Sequence, residues 1–99
     1  MFRIRFTDEA TKDWRKLDNS IKSELMKNLQ PRLENPALES ARLKGALGDC
    51  YKVKAPVTGY RLVYRIVDDV LVILVIAVGK REDSEVYKNA EKRLGDYFS

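Results

Sequence analysis

A chain of 99 residues, 44% of them hydrophobic and 34% charged, has the size and balance of one folded domain spanning residues 1–99, not of a disordered segment. Its net charge of +4 favours an anionic partner, and the absence of histidine removes the usual general acid/base, nucleophile–histidine pairs and most zinc sites. The single cysteine, Cys50, excludes an intrachain disulfide and fits a reducing compartment, so any catalysis falls to carboxylates, lysine, tyrosine or arginine.

The opening MFRIRFTDEA is charged from its third residue and carries no signal-peptide pattern, which points to the cytoplasm. Within it, FRIRF (Phe2 to Phe6) alternates and predicts a short strand. Thr7 and Asp8 are N-cap types, and Ala10, Trp14 and Leu17 follow at helical spacing. Asp18 to Ser20 break that helix. A second helix carries Ile21, Leu25, Leu29 and Leu33 as one apolar stripe. Pro31 falls inside the stripe; an interior proline costs about 3 kcal/mol, so the spacing predicts a bend near Gln30. Residues 37–49, with LKGALGD, read as loop.

Three strands follow, Cys50 to Lys54, Tyr60 to Val67 and Val70 to Val78, joined by APVTG and by Asp68-Asp69. The apolar run VLVILVIAV is too short to span a bilayer, and its β-branched content marks a buried strand. Beyond Gly79, Asp83 or Ser84 can cap a last helix with Val86, Tyr87, Ala90 and Leu94 on one side. The order β-α-α-β-β-β-α predicts an α+β fold: two N-terminal helices on a small, mainly antiparallel four-stranded sheet.

A hairpin closing over residues 56–59 sets Lys54 opposite Arg61, Lys52 opposite Val63 and Cys50 opposite Arg65. Opposed residues share a face, so Lys52, Lys54, Arg61 and Arg65 project to one side and Tyr60, Leu62, Tyr64 and Ile66 to the side packed on helices. Lys54 and Arg61 then have Cβ atoms roughly 5 Å apart, destabilising by a few tenths of a kcal/mol unless an anion compensates. A two-residue turn at Asp68-Asp69 places Ile76 opposite Arg61, and Lys80-Arg81 leave the strand near the same edge. Alternating lysine also protects a sheet edge from aggregation, so an edge defence and an anion-binding face both stand. Arg61, in a middle strand, is not needed for edge defence. The helix cations Lys12, Arg15, Lys16, Lys22 and Lys27 read as a solvated face or as a second phosphate-binding surface.

The strings DWRKLD, LKGALGDCYKVK, GYRLVYRIVDDVLVILVIAVGKREDSEVY and AEKRL resemble the RelE toxins of toxin–antitoxin pairs, within the RelE/ParE superfamily, over nearly the whole chain. GYRLVY, and VGKR followed by SEVY, are specific to the RelE branch. The resemblance implies a ribosome-dependent endoribonuclease that cuts mRNA in the A site. The RNA's own 2′-OH attacks the adjacent phosphate, with no cofactor or metal, leaving a 2′,3′-cyclic phosphate and a 5′-OH. The implied partners are mRNA on the ribosome, 16S rRNA and a RelB-like antitoxin that displaces the last helix, in a heterotetramer binding operator DNA through the antitoxin.

The family's site residues fall on Lys52, Lys54, Arg61, Arg81 and Tyr87, and an RNA-contacting family arginine on Lys44. In those roles Lys54 is the expected general base, since neighbouring cations and desolvation lower a lysine's pKa. Lys52 supports it and binds phosphate, Arg61 holds the non-bridging oxygens, Arg81 neutralises the leaving oxygen and Tyr87 stacks on or orients a base or ribose. The chain departs from the family at Pro31, at Arg65, where relatives carry a neutral polar residue, and in the tail GDYFS. The alternatives are a ParE-like gyrase inhibitor and a non-catalytic basic RNA- or protein-binding module. The joint presence of Arg61, Arg81 and Tyr87 with the paired lysines weighs against both.

Overall fold

Strand β1 (Arg3–Phe6) runs into helix α1 (Asp8–Arg15), whose N-cap is Thr7: the Ala10 N–H donates to Thr7 Oγ1 at 3.1 Å. The computed structural model describes residues 1–98. Ser99, the side chains of Tyr97 and Phe98 in the tail, and the side chain of Asp83 with the cap expected of it lie outside what is described. Helix α2 (Asn19–Leu29) ends one residue before the predicted bend, and the chain tightens into a 3-10 turn over Gln30–Leu33. Pro31 has no N–H to continue the α-helical ladder, which explains the change of winding there. Residues 37–49 hold two further short 3-10 turns, Glu39–Ala41 and Gly45–Leu47.

Strands β2 (Cys50–Ala55), β3 (Tyr60–Val67) and β4 (Val72–Lys80) complete a sheet of order β1-β4-β3-β2, and helix α3 (Glu85–Phe98) follows. The fold is the expected α+β arrangement. The β3–β4 and β2–β3 pairs are antiparallel, while β1 lies parallel to β4. β4 is therefore internal, and Val72, Ile73, Val75, Ile76, Ala77 and Val78 are all buried.

The sheet is covered on both faces. On one, Ala10, Leu25 and Leu29 of α1 and α2 pack against Val53, Leu62, Tyr64, Ile73 and Val75. On the other, Val86 and Ala90 of α3 pack against Cys50, Val63, Ile76 and Ala77. The cation-bearing face is thus partly roofed by α3. Among the described residues no helix is long and apolar enough to cross a membrane.

One expected register is corrected: Arg61 lies opposite Gly79, not Ile76. The β3–β4 connection is longer than two residues. A 3-10 turn over Asp68–Val70 and a left-handed Leu71 (φ 54°) delay the first pair to Val67–Val72. A β-bulge then separates the pairs Val63–Ala77 and Tyr64–Val75, leaving Ile76 as the extra residue. A β-carbon added at Gly79 would stand 3.6 Å from Val86 Cβ, so the start of α3 crosses directly over the Arg61–Gly79 pair.

β1 ends opposite Val75, and side chains cover the β4 edge beyond it. The Val78 N–H donates to Asp13 Oδ2 at 3.0 Å, and Arg93 of α3 donates to the Ile76 carbonyl at 3.0 Å. Arg93 also grips both oxygens of Asp13, at 2.6 and 3.2 Å. This clamp ties α1, β4 and α3 together.

Candidate active site

The β2–β3 hairpin has the register expected from its alternation: Ala55 opposite Tyr60, Lys54 opposite Arg61, Lys52 opposite Val63 and Cys50 opposite Arg65. Arg81 enters from the end of β4. Its N–H donates to the Gly59 carbonyl at 3.1 Å, and its own carbonyl accepts from the Ser84 N–H at 3.0 Å. The hairpin turn and the start of α3 therefore hold its backbone from two sides.

The half-buried Lys52 lies at the electrostatic centre. Its ammonium is held below the ordinary lysine pKa, first by burial and then by the charges of Lys54, Arg61 and Arg81. The structure thus brings together four cations, three from β2 and β3 and one from the segment that follows β4. Among the described residues, none of the ion pairs involves any of the four. Arg61 is half-buried and donates to the Tyr60 carbonyl at 2.9 Å. Tyr87, also half-buried, packs against the α3-side core next to Val86, on the face that carries Lys52 and Arg61. A cleft of about 580 Å³ opens beside Arg81, lined by Thr58, Gly59, Lys80, Glu82 and Ser84.

Other candidates fall elsewhere. Arg65 shares the face but sits four residues along β3 from Arg61, about 13 Å at the usual strand rise. It lies opposite Cys50, whose thiol burial pushes up to about 11 against the opposing charge of Arg65. Lys44 is exposed in the loop that precedes Cys50, at the same distant end. Neither is among the charges acting on Lys52. Lys12, Arg15, Lys16 and Lys22 belong to the helical layer on the opposite face of the sheet. Of these, Lys16 reaches the open end of the sheet, where it lines a cleft with Tyr60, Lys80 and Glu85.

Sequence reasoning missed three supporting residues. Glu24 takes the hairpin turn: Oε2 accepts from the Val57 N–H at 2.9 Å, and Oε1 from the Thr58 N–H at 3.1 Å and hydroxyl at 2.9 Å. Asn28 donates to the Lys54 carbonyl at 2.8 Å, and Arg32 to the Lys52 carbonyl at 2.9 Å. Asn28 and Arg32 thus satisfy carbonyls on the outer edge of β2, which has no named strand beside it and pairs there through the isolated bridge Arg42–Tyr51, while Glu24 holds the turn beyond it. Their spacing of four residues was visible as a polar stripe, but nothing local connects that stripe to the hairpin.

Chemically, the cluster can bind a phosphate, stabilise added negative charge and present one amine with a weakened hold on its proton. Among the described residues no group of three or more acidic or cysteine side chains is placed to hold a metal ion.

Known proteins share this sequence and this fold. The sequence profile of the ParE toxin of type II toxin-antitoxin system, parDE, matches residues 4–85. The chain is 48% identical to mRNA interferase toxin RelE of Escherichia coli (strain K12), over 92% of this chain and 95% of that one. The chain belongs to the RelE family. The mRNA interferase RelE of Shigella flexneri matches equally, at 48% identity over the same shares. A solved structure of a mutant of Escherichia coli toxin RelE in the free state superposes with a TM-score of 0.84, at 45% identity, covering 94% of this chain and 97% of that one. The toxin in the intact Escherichia coli RelBE toxin-antitoxin complex gives 0.76, at 43% identity over 83% and 99%. The matching profile carries the ParE name, while the relatives near half identity are RelE proteins, so the finer resolution within the superfamily comes from the relatives.

Proposed function

We propose that this chain, as a single RelE-like domain, is the toxin of a type II toxin–antitoxin pair. It acts in the cytoplasm as an endoribonuclease that cuts mRNA in the ribosomal A site. The observation that carries this reading is the geometry of the hairpin, which pairs Lys54 with Arg61 on the face that carries Lys52, ties the Arg81 backbone to Gly59, and among the described residues joins none of these four cations in an ion pair. Relatives at 48% identity named mRNA interferases, and a RelE toxin solved with its antitoxin, support it.

In the proposed reaction the RNA 2′-OH forms a bond to the adjacent phosphorus, and the bond from phosphorus to the 5′ oxygen breaks. Lys52 takes the 2′-OH proton, because a neutral amine is more accessible there than at an ordinary lysine. This moves the base from Lys54, the residue expected from sequence, to its neighbour. Lys54 and Arg61 bind the non-bridging oxygens as charge builds on them. Arg81 neutralises the leaving 5′ oxygen while that oxygen takes a proton from solvent, and Tyr87 orients the nucleotide. The products are a 2′,3′-cyclic phosphate and a 5′-OH. Lys44, Arg65 and the helix cations serve as flanking contacts to mRNA and 16S rRNA. A RelB-like antitoxin is the cognate partner.

The test is 5′-end mapping of ribosome-bound mRNA with and without the protein, followed by analysis of the new 3′ ends. Codon-positioned cuts ending in a cyclic phosphate are expected. Intact mRNA together with a DNA-damage response would overturn the reading in favour of a gyrase-directed toxin. Cuts made by water attack, with no cyclic product, would overturn the mechanism.

A further inference from the structure

The hairpin turn at residues 56–59 reaches both the helical layer and the active site. On the helical side, the Glu24 carboxylate accepts the Val57 N–H, the Thr58 N–H and the Thr58 hydroxyl. On the site side, the Gly59 carbonyl accepts the Arg81 N–H at 3.1 Å. Gly59 adopts φ +78°, a left-handed conformation that aims this carbonyl and is strained for other residues. Within the turn the Gly59 N–H closes onto the Ala55 carbonyl at 2.9 Å. Ala55 and Tyr60 pair immediately below, and Lys54 and Arg61 pair next. Nothing apolar secures the tip, where Val57 is 90% exposed. The Glu24 carboxylate is therefore the side-chain anchor of a turn that carries one backbone bond to Arg81 and ends the strand pair bearing Lys54 and Arg61.

We infer that Glu24 is a positioning residue for RNA cleavage, acting through the turn and Gly59 to hold Arg81 at the leaving oxygen. This rests on the proposed endoribonuclease activity. Burial works to raise the Glu24 pKa, but the Val57 and Thr58 hydrogen bonds and the charge of Lys27 outweigh it, so the carboxylate is held below its ordinary value. The anchor is thus anionic at neutral pH, as its three acceptor contacts require. A glutamine could not replace it, since its amide nitrogen would face an N–H donor.

The test is a double-variant cycle on the full chain, with ribosome-bound mRNA in single turnover: wild type, Glu24→Gln, Arg81→Ala and the pair. Glu24→Gln is expected to lower the maximal rate about tenfold, the scale of a small misplacement of a catalytic group, while half-saturation changes less than about twofold. In the Arg81→Ala background the same substitution should add no further loss. A wild-type rate for Glu24→Gln, or losses that multiply in the pair, overturns the inference. Amide exchange gives a readout without activity: the Arg81 N–H should exchange faster in Glu24→Gln, and unchanged protection also overturns it. Should Glu24→Gln fail to fold, Thr58→Val, which removes only the hydroxyl donor, carries the same cycle with a smaller expected loss in the same parameter. Wild-type protein that leaves mRNA intact defeats the endoribonuclease reading and this inference with it. Cleavage slowed by Arg81→Ala but not by Glu24→Gln or Thr58→Val defeats the positioning role alone.

Discussion

Arg93 and Lys52 are cations in opposite surroundings. Arg93 sits between Asp13 and Glu9, with side-chain exposures of 14% for Arg93 and 16% for Asp13, and it also donates to the Ile76 carbonyl. Donating hydrogen bonds to Asp13 raises its pKa, with burial opposing. Lys52 meets Lys54, Arg61 and Arg81 instead, and burial together with those charges lowers its pKa. The first arrangement closes an exposed strand edge and joins three elements. The second leaves repulsion that a bound anion, or loss of the Lys52 proton, relieves. The fold tolerates it because the hairpin register is set by the apolar faces on either side, with Val53 and Leu62 below and Val63 above. The two sets of cations differ in whether the protein supplies the counter-ion itself.

The largest expected effect lies on the unpaired side. Lys52→Arg keeps the charge but removes an amine that can become neutral, so cleavage should fall about 1,000-fold. Only the deprotonated lysine accepts a proton, so the wild-type rate should climb with pH and level off above a pKa lower than that of an ordinary lysine. The variant should lose that rise, and an unchanged pH profile in Lys52→Arg would remove Lys52 as the base. On the paired side, Asp13→Ala leaves the half-buried Arg93 with Glu9 as its remaining carboxylate and strips an acceptor from the Val78 N–H. Stability should drop by about 3 kcal/mol in urea denaturation, and a loss within error would show that the clamp contributes little.

Arg61→Ala should slow cleavage about 100-fold through lost stabilisation of the phosphate charge, with the melting temperature unchanged or raised. A parallel loss of stability would make Arg61 a structural cation like Arg93 and erase the contrast. The smallest effect is the most direct measure of the repulsion. Lys54→Met should stabilise the free protein by a few tenths of a kcal/mol at low salt, and the gain should shrink at high salt. A loss of stability at low salt would mean that Lys54 is already compensated within the protein.

The hairpin was legible because everything that sets it is local. The alternation in YKVK and YRLVYR, a four-residue connection and the period of two together gave the pairing of Lys54 with Arg61. The Thr7 cap and the break at Pro31 were local in the same way. The β3–β4 register was not legible. The left-handed Leu71 has no glycine to announce it, and the bulge at Ile76 leaves no mark in an unbroken apolar run. The same run conceals which half of β4 pairs with β1. The clamp of Asp13 and Arg93 and the anchor at Glu24 were also out of reach, since each joins residues far apart in the chain and looks like an ordinary solvated helix charge.

By itself, then, the sequence determined the element order, the two-faced hairpin, the cationic side of it and the family. Those follow from periodicity and residue type, which act over a few neighbours. The tertiary structure alone decided that α3 roofs the cationic face, that the turn and the start of α3 hold Arg81 by its backbone, that Arg65 and Lys44 stay at the far end, and that burial and neighbouring charge push the Lys52 pKa down. Burial and the Coulomb field at one amine sum over every charge nearby in space, and those charges come from strands that only folding sets side by side.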